Sequence, residues 1–154
     1  MHNPPLNPTQ QHDILSDITL QVIPTMPAGW TRLVLRVMEI GRHAEVESGV
    51  KMADGTVQAW SRDSQMWREV WGRFMELRAG MYTPLIGTWV SVTYVLDPPG
   101  QFNIQYNRDE QPPFETAPSR ENFQLEQQRF PRTPDHMPAW YRENVDVGGE
   151  SRVD

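Results

Sequence analysis

Apolar residues recur at helical spacing near the start of the chain. Ile14, Leu15, Ile18 and Val22, with Met26 beyond them, fall on one face. The pattern predicts a helix from about Gln10 to Ile23 with Thr9 as its cap. Pro24 and Pro27 stop it, and Ala28-Gly29 turns the chain. The period then changes to two. Leu33, Leu35 and Val37 alternate with Arg32, Val34 and Arg36 within Trp30 to Ile40. From His43 to Met52, Ala44, Val46, Ser48, Val50 and Met52 take one face, and Glu45, Glu47 and Lys51 the other. Asp54-Gly55 marks a turn, and Thr56 to Trp60 completes a predicted three-stranded meander.

The strongest helical signal runs from Asp63 or Ser64 to about Ala79. Met66, Trp67, Val70, Trp71, Phe74, Met75, Leu77 and Met81 fill nearly half its circumference, opposite Arg68, Glu69, Arg73 and Glu76. So wide a stripe could hold a cofactor, but packing on a sheet is the commoner use of such a face. Gly80 is the expected stop. Leu85 to Leu96 reads as strand, rich in β-branched and aromatic residues. Asp97-Pro98-Pro99-Gly100 turns it into Gln101 to Tyr106, with Phe102, Ile104 and Tyr106 on one face. An acidic, proline-rich loop follows, then a short helix from about Ser119 to Gln128 and a last turn near Pro138 to Glu143. The order α-βββ-α-ββ-α predicts an α+β fold: an antiparallel sheet of about five strands with helices packed mainly on one face.

Composition adds boundaries. A chain of 154 residues can bury one real core, expected over 9–144, and the polar stretches 1–8 and 145–154 are expected to be disordered. Cysteine is absent, which excludes disulfides and thiolate metal sites. No apolar run approaches the roughly 18 residues of a membrane span, so the expected location is cytoplasmic. The net charge of −6 is uneven: six acids face two arginines between Asp97 and Glu126. That balance disfavours nucleic acid and favours a basic partner, although acidic loops are often only solvated.

Catalytic chemistry finds little support. His2, His12, His43 and His136 lack the spacing of a helical metal pair, and neither a nucleophile elbow nor a phosphate-cradling glycine loop is present. Glu45 and Glu47 share a strand face about 7 Å apart, and Asp109 adjoins Glu110. A carboxylate pair becomes an acid–base device only when burial raises one pKa. The flanks of Asp109-Glu110 are polar or proline, which favours solvated charge. Arg132 could hold an anion, though pairing with an acid is the commoner fate.

The segment from Tyr106 to Tyr141 combines prolines with recurring aromatics, too many anchors for a linker. Trp89, Gly100-x-Phe102, Tyr106-Asn107-Arg108-Asp109-Glu110-x-Pro112-x-Phe114, Glu121-x-Phe123, Phe130-Pro131-Arg132 and Pro138-x-Trp140 together resemble the YezG-like immunity proteins. Pro27-Ala28-Gly29-Trp30 and the Trp/Phe-rich helix also look like that family, so the likeness spans most of Ile14 to Tyr141. Two positions depart from it: Arg108 stands where an aromatic residue is common, and Tyr141 where an aliphatic one is. The resemblance implies a small bacterial α+β antitoxin, without cofactor or catalytic activity, that neutralises a cognate secreted toxin, often a nuclease with a basic surface. Asp109, Glu110, Glu115, Tyr106 and Phe114 are the expected contacts, with Glu45 and Glu47 as a second acidic patch. Phe123, Phe130 and Trp140 are expected to pin the arm to the sheet. The alternatives are a small-ligand module near Trp67 and Trp71, or a non-catalytic assembly partner.

Overall fold

The computed structural model describes residues 4–145. Of the stretches 1–8 and 145–154 expected to be disordered, 1–3 and 146–154 lie outside them, whereas the Leu6 N–H bonds the Gly80 carbonyl, Asn7 and Pro8 begin the first helix and Val145 ends the last. Among the described residues, four α-helices and a five-stranded antiparallel sheet give the expected α+β class. In chain order they are α1 (Pro8–Val22), β1 (Trp30–Ile40), β2 (His43–Met52), β3 (Val57–Gln58), α2 (Ser64–Gly80), β4 (Ser91–Asp97), β5 (Gln101–Asn107), α3 (Arg120–Arg129) and α4 (Ala139–Val145). Short 3-10 turns follow α1 and precede α4. The strand order is β3-β2-β1-β4-β5, so β3 and β5 are the edges.

Local chemistry sets most of the ends. Asn7, not Thr9, caps α1: its side chain accepts from the Gln10 backbone, and Gln10 reaches back to the Asn7 N–H. Pro8 then occupies the first turn, where its missing N–H costs nothing. Asp63 and Ser119 cap α2 and α3 as their sequences imply. The α2 helix runs through Gly80, one residue past the predicted end, and Met81 closes it.

Two strands are shorter than their patterns suggest. Only Val57 and Gln58 pair in β3, opposite Lys51 and Val50. The β4 strand begins at Ser91, because Thr83 and Gly87 exchange backbone hydrogen bonds and fold the preceding residues into a turn. Leu85 sits at its tip with φ 74° and 60% of its surface exposed.

The chain divides into two compact units. The first comprises residues up to Arg36, Glu47–Met81 and Thr93–Gln105. There α1 and α2 pack together, and both reach Tyr94 of β4. Ile18, Val22, Leu33, Leu35, Val70, Phe74, Tyr94 and Leu96 are almost fully buried. Each such side chain contributes about 1.5–3 kcal/mol. Phe74 meets Tyr94 edge-on at 6.2 Å, and Phe102 stacks on the same ring at 6.1 Å. Thr19 donates to the Leu15 carbonyl, so the single hydroxyl proton between Thr19 and Tyr94 comes from Tyr94. Burial pushes that phenol up to about 12. Trp67 meets Trp60 at 5.8 Å and Trp71 at 6.0 Å, and the Arg62 guanidinium lies 4.6 Å over its ring.

The second unit comprises Val37–Val46, Tyr82–Val92 and the residues from Tyr106 on. Val37, Met38, Glu39 and Ile40 are all buried, so this end of β1 no longer alternates. Ile40, Val90, Phe123 and Tyr141 form its apolar cluster, with Phe114, Met137 and Trp140 packed against it.

Candidate functional site

The acidic loop after β5 takes its shape from Asn107. Its side-chain amide donates to Ser91 Oγ (3.0 Å) and to the Glu110 carbonyl (2.9 Å), while its Oδ1 accepts from the Glu110 backbone (2.9 Å). One short polar side chain thus closes the turn that carries Arg108, Asp109 and Glu110.

Arg132 holds the next layer. Its side chain is 1% exposed, and it donates to the carbonyls of Arg108 (2.8 Å), His136 (3.0 Å) and Thr88 (3.4 Å). It also reaches Asp109 Oδ1 at 3.4 Å and lies 4.8 Å over the Tyr141 ring. Burial pulls the guanidinium below the ordinary arginine range, opposed by Tyr141, Asp109 and Glu126. An arginine keeps its charge through such a shift, and both Nη groups meet oxygen acceptors. Gln127 fixes the backbone beneath it, accepting from Arg132 N–H (3.2 Å) and donating to its carbonyl (2.9 Å). Gly87 makes room above it. With φ 105°, an added Cβ would lie 2.6 Å from Arg132 Nε.

Trp140 completes the brace by donating its indole N–H to the Asp109 carbonyl at 2.9 Å. Further along, the Glu45 carboxylate accepts from the backbone N–H of Glu115 (2.7 Å) and Thr116 (3.1 Å), and bonds His43 Nε2 (2.9 Å). The Glu115 bond is the main reason that Glu45 lies below the usual carboxylate range, with His43 and Thr116 adding to it against desolvation. The far end of the arm is tied similarly. Glu126 accepts from Gly41 N–H (2.9 Å), Arg129 donates to the Gly41 carbonyl (3.1 Å), and Asn122 accepts from Arg42 N–H (2.8 Å). Gly41 has φ 62°, and a Cβ there would meet the Asn122 carbonyl at 2.3 Å.

The sequence-derived residues separate into two groups. Asp109, Glu110 and Glu115 are exposed on a loop whose backbone is fixed from several directions. Among the described residues, the Glu110 and Glu115 carboxylates meet no cation, whereas Asp109 pairs with Arg132 and, at 3.6 Å, with Arg108. The others point inward. Tyr106 is half-buried beside Trp89 at 6.1 Å, and its hydroxyl has no hydrogen-bond partner among the described residues. Burial raises its pKa. Phe114 packs edge-on against His43 at 5.2 Å and joins the Ile40 cluster. Glu45 is an internal brace with 20% of its side chain exposed. Glu47 is 54% exposed and lies 3.5 Å from Arg36.

The bracing roles of Arg132, Gln127 and Asn107 are not evident from the pattern of the chain. Phe130-Pro131-Arg132 was the available signal for the first, since a proline-fixed arginine beside an aromatic is a positioned cation. Phe123 and Phe130 are buried as anchors, Trp140 is half-buried, and Tyr141, one of the two positions that depart from the resemblance, is buried completely.

Among the described residues no group of three or more His, Asp or Glu side chains gathers where a metal could be held, and no helix is long and apolar enough to cross a membrane. No protein-family model matches the chain, and no curated protein matches it.

Proposed function

We propose that this chain is an immunity protein: it binds a cognate secreted toxin, a nuclease with a basic surface, and neutralises it in the cytoplasm. The observation that carries this reading is the acidic loop, whose carboxylates face solvent while its backbone is braced by Asn107, Arg132, Trp140 and Glu45. A preformed loop loses little conformational freedom on docking, and opposite fields speed the encounter. The motifs shared with the YezG-like family support the same reading. They supply the brace and leave the partner-facing carboxylates in the less patterned residues between.

Glu110 and Glu115 are the contacts to reverse, because Asp109 also serves Arg132. The test co-expresses the chain with the toxic domain encoded beside it and scores growth. Wild type should protect, and Glu110→Lys with Glu115→Lys should not, at unchanged melting temperature. Protection by the reversed variant would remove the loop from the interface. A neighbouring product that is not toxic, or that wild type fails to neutralise, would remove the immunity reading.

A further inference from the structure

The two edges of the sheet differ sharply. Folded proteins protect an edge by making it short, charged, bulged or proline-bearing, because its unpaired backbone groups otherwise template another strand. The β3 edge is two residues long. The β5 edge is seven residues long, Gln101-Phe-Asn-Ile-Gln-Tyr-Asn107, with no charge, no proline and an unbroken alternation of exposure through Tyr106. Its one neighbour is β4. Among the described residues no loop or turn backbone bonds to Gln101–Tyr106.

The direction of its free groups follows from one bond. In an antiparallel ladder each residue points its N–H and C=O to the same side, and the sides alternate. The Asn107 carbonyl accepts from Val90 N–H, just ahead of β4, at 2.8 Å. Asn107, Gln105, Asn103 and Gln101 therefore face β4. Phe102, Ile104 and Tyr106 turn their backbone groups outward.

We infer that β5 pairs with β5 of a second copy of this chain, antiparallel about a two-fold axis at Ile104. The occupant follows from self-complementarity. With Ile104 opposite Ile104, Phe102 meets the partner's Tyr106, and Asn103 meets the partner's Gln105. Apolar and aromatic groups meet their own kind, amides meet amides, and no like charges oppose, although the chain as a whole carries −6. An acidic chain repels its copies over most of its surface, so an uncharged edge favours self-pairing. The outward groups of Phe102, Ile104 and Tyr106 would supply the new ladder. The inference is independent of any toxin.

Sedimentation equilibrium of the full chain across the micromolar range tests it. Wild type should approach twice the 17.9 kDa chain mass. Asn103→Lys with Gln105→Lys changes only exposed side chains, so the fold should persist, but it places like charges opposite each other. Its dimer should dissociate roughly ten-fold or more readily. Mixing it with Asn103→Glu, Gln105→Glu should restore a dimer of one copy of each. A wild type that stays at the chain mass or forms larger assemblies, a lysine variant that pairs as well as wild type, or a mixture that stays monomeric would each overturn the inference.

Discussion

The two units are held by different means. In the first, helices α1 and α2 bury apolar stripes against β strands, and the buried polar groups are few: Thr19 beside Tyr94, and Arg78 on α2. In the second, the apolar cluster is smaller, and side chains that bond to distant backbone fix the course of the chain. Arg132 serves three carbonyls, Glu126 and Arg129 serve Gly41, and Glu45 serves two amides. An apolar contact is non-directional and tolerates repacking, whereas a buried guanidinium demands particular acceptors in particular places. The first means gives stability, and the second gives a defined loop shape at greater sensitivity to single changes.

Substitutions that attack each means should separate them. Phe74→Ala opens a cavity against Tyr94 and should destabilise by about 3–5 kcal/mol in denaturant titrations. Arg132→Met leaves the Arg108, His136 and Thr88 carbonyls without their donor and should lose about 2–4 kcal/mol despite its apolar stem.

Acid should act on the second unit through Glu45. Its folded pKa is depressed, so its contribution is present above the ordinary glutamate value and is lost as pH falls through the lower folded value. Glu45→Gln should remove that part of the acid dependence, measured as melting temperature against pH below neutrality. The smallest change is Tyr106→Phe, which deletes a buried hydroxyl lacking a partner among the described residues. It should be neutral or stabilising by up to about 1 kcal/mol in the same titration. A clear loss would show that the hydroxyl is bonded in solution.

The same contrast explains what the sequence made legible. Helices α1 and α2 follow from spacing alone, because the core they face lies on one side of a regular element. Asp63 and Ser119 were readable as caps, and Asp97 to Gly100 as a turn, because those signals act within four residues. The segment from Leu85 to Val90 has strand composition yet lies outside β4, its first residues held in the Thr83–Gly87 turn. Its reason, room for the Arg132 side chain at Gly87, lies 45 positions away. The loop was visible as acidic and outward-facing, and its carboxylates are exposed. That Glu45 belongs to its inner bracing, 70 residues from Glu115, has no local signature. Tyr106 and Phe114 look like anchors for a partner by type, but burial against Trp89 and His43 occupies them first.

The claim that joins these points is that the acidic loop is shaped by the chain itself before any partner arrives. Amide hydrogen exchange of the free protein at neutral pH measures this at Glu110, Glu115 and Thr116, whose N–H groups are bonded to Asn107 and Glu45. In wild type these amides should exchange at least about ten-fold more slowly than in unstructured chain. In Arg132→Met, protection at Glu110 should fall while amides of β1 at Leu33 and Leu35 stay protected. Unprotected loop amides in wild type, or an Arg132→Met variant whose Glu110 protection is unchanged, would contradict the account.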